Sequence, residues 1–127
     1  MKEEEGQKKQ EMKNGYVIDY TDSGKIKYKG TWKDNQYHGW GCLYNHNVTK
    51  GEINPKNLTE EAVANTWTQY EGNFNGGKRH GFGTLNFHDG SCFQGTYSEN
   101  VPNRMGTFIN KDKSEETYLY DNGKVKE

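Results

Sequence analysis

The sequence predicts an all-β fold: a single-layer antiparallel meander of repeated β-hairpins, a short solenoid with one short helical insertion. Three observations lead there. First, the stretch 70–90, YEGNFNGGKRHGFGTLNFHDG, recurs along the chain. Moved back by 42 positions, its Tyr70, Gly72, Phe74, His80, Gly81, Gly83 and Leu85 fall on Tyr28, Gly30, Trp32, His38, Gly39, Gly41 and Leu43. Moved forward by 23, its Tyr70, Gly72, Phe74, Gly83, Thr84, Leu85 and Asp89 fall on Phe93, Gly95, Tyr97, Gly106, Thr107, Phe108 and Asp112. The period is therefore 23, and the 42 is one period plus a 19-residue insertion. A fixed period in the twenties is the signature of a repeat architecture. Second, Tyr-x-Gly-x-Trp alternates, which puts the aromatics and the glycine on one strand face. A glycine inside a strand weakens it unless another group approaches closely, and an aromatic ring from the adjoining unit is the expected visitor. Third, Asp89-Gly90 and its counterparts are hairpin-turn signals.

The elements follow in order. Residues 1–14 are charged and almost without apolar side chains, which reads as a solvated tail. Residues 15–24 form a half-repeat, in which Tyr20 and Asp22 align on Phe87 and Asp89, with a turn at Asp22-Ser23-Gly24. The first full repeat is 25–44; its Lys25, Lys27 and Lys29 alternate with Ile26 and Tyr28, as on a solvated strand face. Residues 45–66 break the period. Pro55 ends any strand, and Asn57-Leu58-Thr59-Glu60 fits a capping box with Asn57 as N-cap. The one or two helical turns that follow are too short to stand alone and must dock on the sheet or on a partner. Repeats follow at 67–90 and 91–113. A closing strand at 114–121 lacks the Tyr-x-Gly spacing, and 122–127 is a tail that opens on an Asn122-Gly123 turn. The count is about eight strands.

The pattern Tyr-x-Gly-x-Trp … His-Gly-x-Gly-x-Leu resembles the MORN repeat (membrane occupation and recognition nexus). Residues 28–44 and 70–90 fit it well. In the unit at 93–113, Asn103 and Arg104 stand where the family has His-Gly, and Lys113 stands where Gly90 predicts a turn glycine. The repeat-structural glycines are then Gly30, Gly39, Gly41, Gly72, Gly81, Gly83, Gly95 and Gly106. The resemblance implies a cytoplasmic scaffold in a cytoskeletal setting, such as an axonemal radial spoke, or a module for anionic lipid headgroups. It also implies the regulatory part of an enzyme as a third class.

Composition narrows the function. Apolar residues are only 29% of the chain, so a large globular core is not available, yet 13% are aromatic and sit in register. A net charge of −1 gives no drive toward nucleic acid or toward acidic lipid. Cys42 and Cys92 occupy non-equivalent points of the repeat and read as free thiols. No apolar run is long enough to be a membrane span or a signal sequence.

Chemistry-bearing groups are sparse. His38 and His80 share one repeat position and read as turn histidines bonded to backbone; no ligand set completes a metal site. His38 and His46 lie four residues either side of Cys42, roughly 13 Å along a strand, too far for a nucleophile–base pair. Gly76-Gly77-Lys78-Arg79 lacks phosphate-loop spacing and reads as a β-turn with exposed cations. The expectation is no catalytic residue, no metal, no cofactor and no small-molecule substrate. What remains is surface. An aromatic stripe of Tyr28, Trp32, Trp40, Tyr70, Phe74, Phe93 and Tyr97 is the expected partner-binding face, with protein as the partner and anionic lipid as the alternative.

Overall fold

The computed structural model describes residues 12–126. Strands β1 (Gly15–Tyr20), β2 (Ile26–Lys33), β3 (Gln36–Tyr44), β4 (Trp67–Asn75), β5 (Lys78–Phe87), β6 (Cys92–Ser98), β7 (Val101–Ile109), β8 (Glu115–Asp121) and β9 (Lys124–Val125) form one antiparallel sheet in sequence order. A short helix, α1 (Glu60–Val63), lies between β3 and β4. This is the all-β hairpin meander that the repeat implies. The ninth strand lies in the segment expected to be a tail. The N-terminal tail expectation falls, up to residue 11, outside the described residues.

Each repeat is one hairpin with the same internal geometry. Its turn is a pair of residues with left-handed φ: Asp34 and Asn35, Gly76 and Gly77, Glu99 and Asn100. That is the two-residue turn whose twist matches the strands. A register shift then sits at Thr31, Asn73 and Thr96, between the paired glycines and the next aromatic. The glycines face each other across the hairpin, Gly30 with Gly41, Gly72 with Gly83 and Gly95 with Gly106. A Cβ built on Gly41 would lie inside the ring of Tyr28, on Gly83 inside that of Tyr70, and on Gly106 inside that of Phe93. The ring over each bare backbone therefore comes from the same hairpin, not from the adjoining unit as expected. The Tyr28 hydroxyl donates to the Thr31 carbonyl at 2.9 Å and the Tyr70 hydroxyl to that of Asn73 at 3.0 Å.

Between repeats, Asp89 accepts from the Ser91 amide at 2.9 Å and Asp112 from that of Ser114 at 2.9 Å. Lys113 takes φ 77° where Gly90 has 94°, and Arg104 takes φ 81° where Gly81 has 87°. The degenerate repeat keeps its register by holding Arg104 and Lys113, besides its turn residues Glu99 and Asn100, in the left-handed region. The half-repeat at the start departs more. On β1 the outward phase holds Tyr16, Ile18 and Tyr20, so Tyr20 is exposed while its aligned Phe87 is buried.

The insertion 45–66 crosses the aromatic face of the sheet as a strap. It leaves β3 through Asn45, whose amide donates to the Thr68 carbonyl at 2.9 Å. It reaches the far end of the sheet, where the Tyr120 hydroxyl donates to the Pro55 carbonyl at 2.7 Å and the Leu58 amide to that of Gly123 at 2.7 Å. It returns through α1. Thr59, not Asn57, is the N-cap, its hydroxyl accepting from the Ala62 amide at 3.3 Å; Asn57 instead accepts from the Thr59 hydroxyl at 3.0 Å. Leu58 and Val63 drop into the aromatic cluster. A marginal helix is thus held by burial of its own Val63 and of Leu58 just before its N-cap.

Candidate functional site

Two faces compete for the role of binding surface. On the strap side, Tyr28, Trp32, Tyr70, Phe74, Phe93 and Tyr97 are all at most 9% exposed. Their rings meet edge to face, Tyr28 with Phe74 at 5.4 Å, Tyr70 with Tyr97 at 5.2 Å and Phe93 with Tyr97 at 5.7 Å. Such pairs add stability beyond the area they bury. These six residues are the hydrophobic core. The expected binding stripe is corrected accordingly: the rings pack on one another and under the strap, so they offer no area to a partner. Trp40 alone of the seven is exposed, because it lies on the opposite face.

Arg79 is part of that core, against the expectation of an exposed turn cation. It is in phase with Leu85 and Phe87 on β5, so its side chain points inward. Its guanidinium stands 5.5 to 5.6 Å from the ring centres of Trp67, Tyr70 and Tyr97. It donates to the Asn100 carbonyl at 3.1 Å and lies 3.9 Å from the Glu60 carboxylate on α1. Counting the alternation back from Phe87 would have found it. Lys78 does remain at the surface, paired with Glu99 at 2.9 Å.

The outer face carries the unexplained apolar surface. Trp40, Phe82 and Met105 stand at one repeat position, the x of His-Gly-x-Gly or its degenerate copy. With Tyr16 on β1 and Leu119 on β8 they are 45 to 66% exposed. The strand registers put them in one row across the sheet: Tyr16 opposite Thr31, Trp40 opposite Asn73, Phe82 opposite Thr96 and Met105 opposite Leu119. Large apolar residues on β1, β3, β5 and β7 thus alternate with small polar ones on β2, β4 and β6. A second row runs through Lys29, Cys42, Glu71, Thr84, Gln94 and Thr107. A groove of about 260 Å³ between Tyr16, Trp40, Tyr44 and Glu71 opens onto this face. At outward positions 82, 84, 86, 92, 94, 96, 105, 107 and 109 of β5 to β7 no residue is charged, although 28% of the chain is; the exposed charges of these strands are Lys78 at the start of β5 and Arg104 beside Met105. Loss of charge with retention of large apolar groups marks the centre of protein interfaces.

The remaining polar groups do structural work. His46 and His88 bond backbone, at 2.8 Å from the carbonyls of Ile26 and Gly51 respectively. His38 and His80 do not; the Nδ1 of His80 is buried without a partner. The turn-histidine role therefore belongs to the other pair. Cys42 and Cys92 are free, and burial pushes the Cys92 thiol up. Burial likewise raises the phenols of Tyr28, Tyr70, Tyr97 and Tyr120 far above the usual tyrosine range. Among the described residues, no cluster of three or more His, Cys, Asp or Glu is placed to hold a metal ion. No helix among them is long and apolar enough to cross a membrane.

A family model described as MORN repeat matches residues 28–47, 70–92 and 93–115, together just over half of the chain. These are the three hairpins built on paired glycines; the strap lies between the first match and the second. No curated protein matches the chain.

Proposed function

The chain belongs to the MORN-repeat family, and on that premise we propose that it is a non-enzymatic structural or adaptor subunit that docks a protein partner through the outer face of its sheet. The observation that carries this reading is the exposed apolar row Tyr16, Trp40, Phe82, Met105 and Leu119, with uncharged outward neighbours at 84, 86, 92, 94, 96, 107 and 109. Exposed apolar surface of this extent on a protein mostly marks a partner site. The strap already occupies the other face. A cytoskeletal assembly, including an axonemal one of radial-spoke type, is the setting we propose from the repeat family alone.

The test is capture of partners from cells by the wild type and by a Trp40→Ser, Phe82→Ser variant, after circular dichroism has shown both to be folded. Proteins held by the wild type and released by the variant support the reading. Partners held equally by both move the contact to another surface and defeat it. Salt-sensitive pelleting with anionic vesicles, abolished by Lys25→Glu, Lys27→Glu and Lys29→Glu together, would put a lipid module in its place.

A further inference from the structure

We propose that the occupant of the outer face is a second copy of this chain, packed sheet against sheet about a two-fold axis parallel to the strands and lying between β4 and β5. The proposal rests on the reading of this face as a docking surface and names its partner.

The argument is one of register. Such an axis brings strand n of one copy over strand 9 − n of the other and leaves positions along the strands unchanged. With eight long strands, every odd strand then meets an even one. Trp40 on β3 falls on Thr96 of β6, Phe82 on β5 falls on Asn73 of β4, and Met105 on β7 falls on Thr31 of β2. Across β2 to β7 each large apolar side chain meets a small residue and the row is complementary to itself, as an isologous contact requires; at the rims Tyr16 on β1 meets Leu119 on β8. A two-fold axis across the strands would do the opposite, setting Trp40 over Tyr44 and Met105 over Ile109.

The charges agree with this register, and the contact area fits a weak association. In the proposed register Glu71 meets Thr84 and Lys29 meets Thr107, so no like charges oppose one another. Eight strands about 4.8 Å apart and three rows about 6.8 Å apart make a face of roughly 700 Å². Sheet twist separates the rims of two such faces, so β3 to β6 form the close contact, roughly 400 Å² per copy, the size of a weak interface and about half of a standard one.

The experiment is light scattering of the full chain over about 10 to 200 µM, a range that reveals micromolar association. The expected mass rises from 14.7 kDa toward twice that value. Phe82→Glu is expected to weaken association at least tenfold with an unchanged thermal melt. In a Cys42→Ser, Cys92→Ser background, Thr84→Cys lies beside the axis and is expected to cross-link to its own copy with a short bismaleimide, while Glu61→Cys on α1 is not. A mass of 14.7 kDa throughout overturns the proposal. So does a dimer that Phe82→Glu leaves intact or that links through Glu61→Cys. A monomer that still captures another protein in a Phe82-dependent way overturns the second copy and leaves the docking face standing.

Discussion

Arg104 and Lys113 hold left-handed backbone that the better-formed repeats assign to glycine. Left-handed φ costs a side-chain-bearing residue about 1–2 kcal/mol, of which part is offset by the freedom glycine loses on folding. Arg104→Gly and Lys113→Gly are each expected to stabilise the chain by about 0.5–1 kcal/mol, read as a rise in urea midpoint at constant slope. The converse holds at Gly83, where the Tyr70 ring fills the space of a Cβ. Gly83→Ala is expected to cost about 3 kcal/mol or more, since Phe74, Tyr97 and the Arg79 guanidinium already enclose the ring. Arg79→Ala removes a cation stacked among three rings and leaves a void under α1. Its expected cost is about 2–3 kcal/mol by chemical denaturation.

At the scale of elements, the strap decides which face of the sheet is available. Leu58 is its anchor, buried among the rings and bonded through its amide to Gly123. Leu58→Ala is expected to cost about 2–4 kcal/mol and to speed hydrogen exchange at Leu58 itself and in β9. The hairpins were legible in the sequence because glycine, aromatic and turn residues recur at fixed spacing, and each has one local cause. The strap's course was not. Pro55 and the polar run around it say only that the period is broken. That Leu58 and Val63 point into the sheet depends on Tyr120 and Gly123, some sixty residues further on. The burial of the aromatic stripe was hidden for the same reason: alternation separates two faces but does not say which one the chain itself will cover. Once the strap is seen, the surface residues left over are Trp40, Phe82 and Met105, which the repeat alignment had already stacked at one position.

For the molecule as a whole, the tyrosines set the alkaline limit. Burial raises the folded-state values of Tyr28, Tyr70, Tyr97 and Tyr120, while the unfolded chain releases those protons near the ordinary value of about 10. The folded state thus binds more protons above that pH, and stability falls as pH rises from about 10 upward. The expected result is that phenolate absorbance of these four tyrosines appears together with loss of near-ultraviolet circular dichroism. Titration of all four in a chain that keeps its dichroism would contradict the core described above.

The strap also gives assembly an order. Neighbouring hairpins in a meander pair locally, and each can zip onto the last without waiting for distant chain. The clasp between Pro55 and Tyr120 cannot close until every hairpin from β4 to β8 lies in place, because those strands bridge its two ends. Its closure is therefore a late event with a completeness condition attached. A chain that has skipped or misaligned a hairpin presents Tyr120 at the wrong distance and leaves the aromatic face open. In that sense the insertion is a checkpoint: the face is sealed only on a molecule whose repeats have all been counted in.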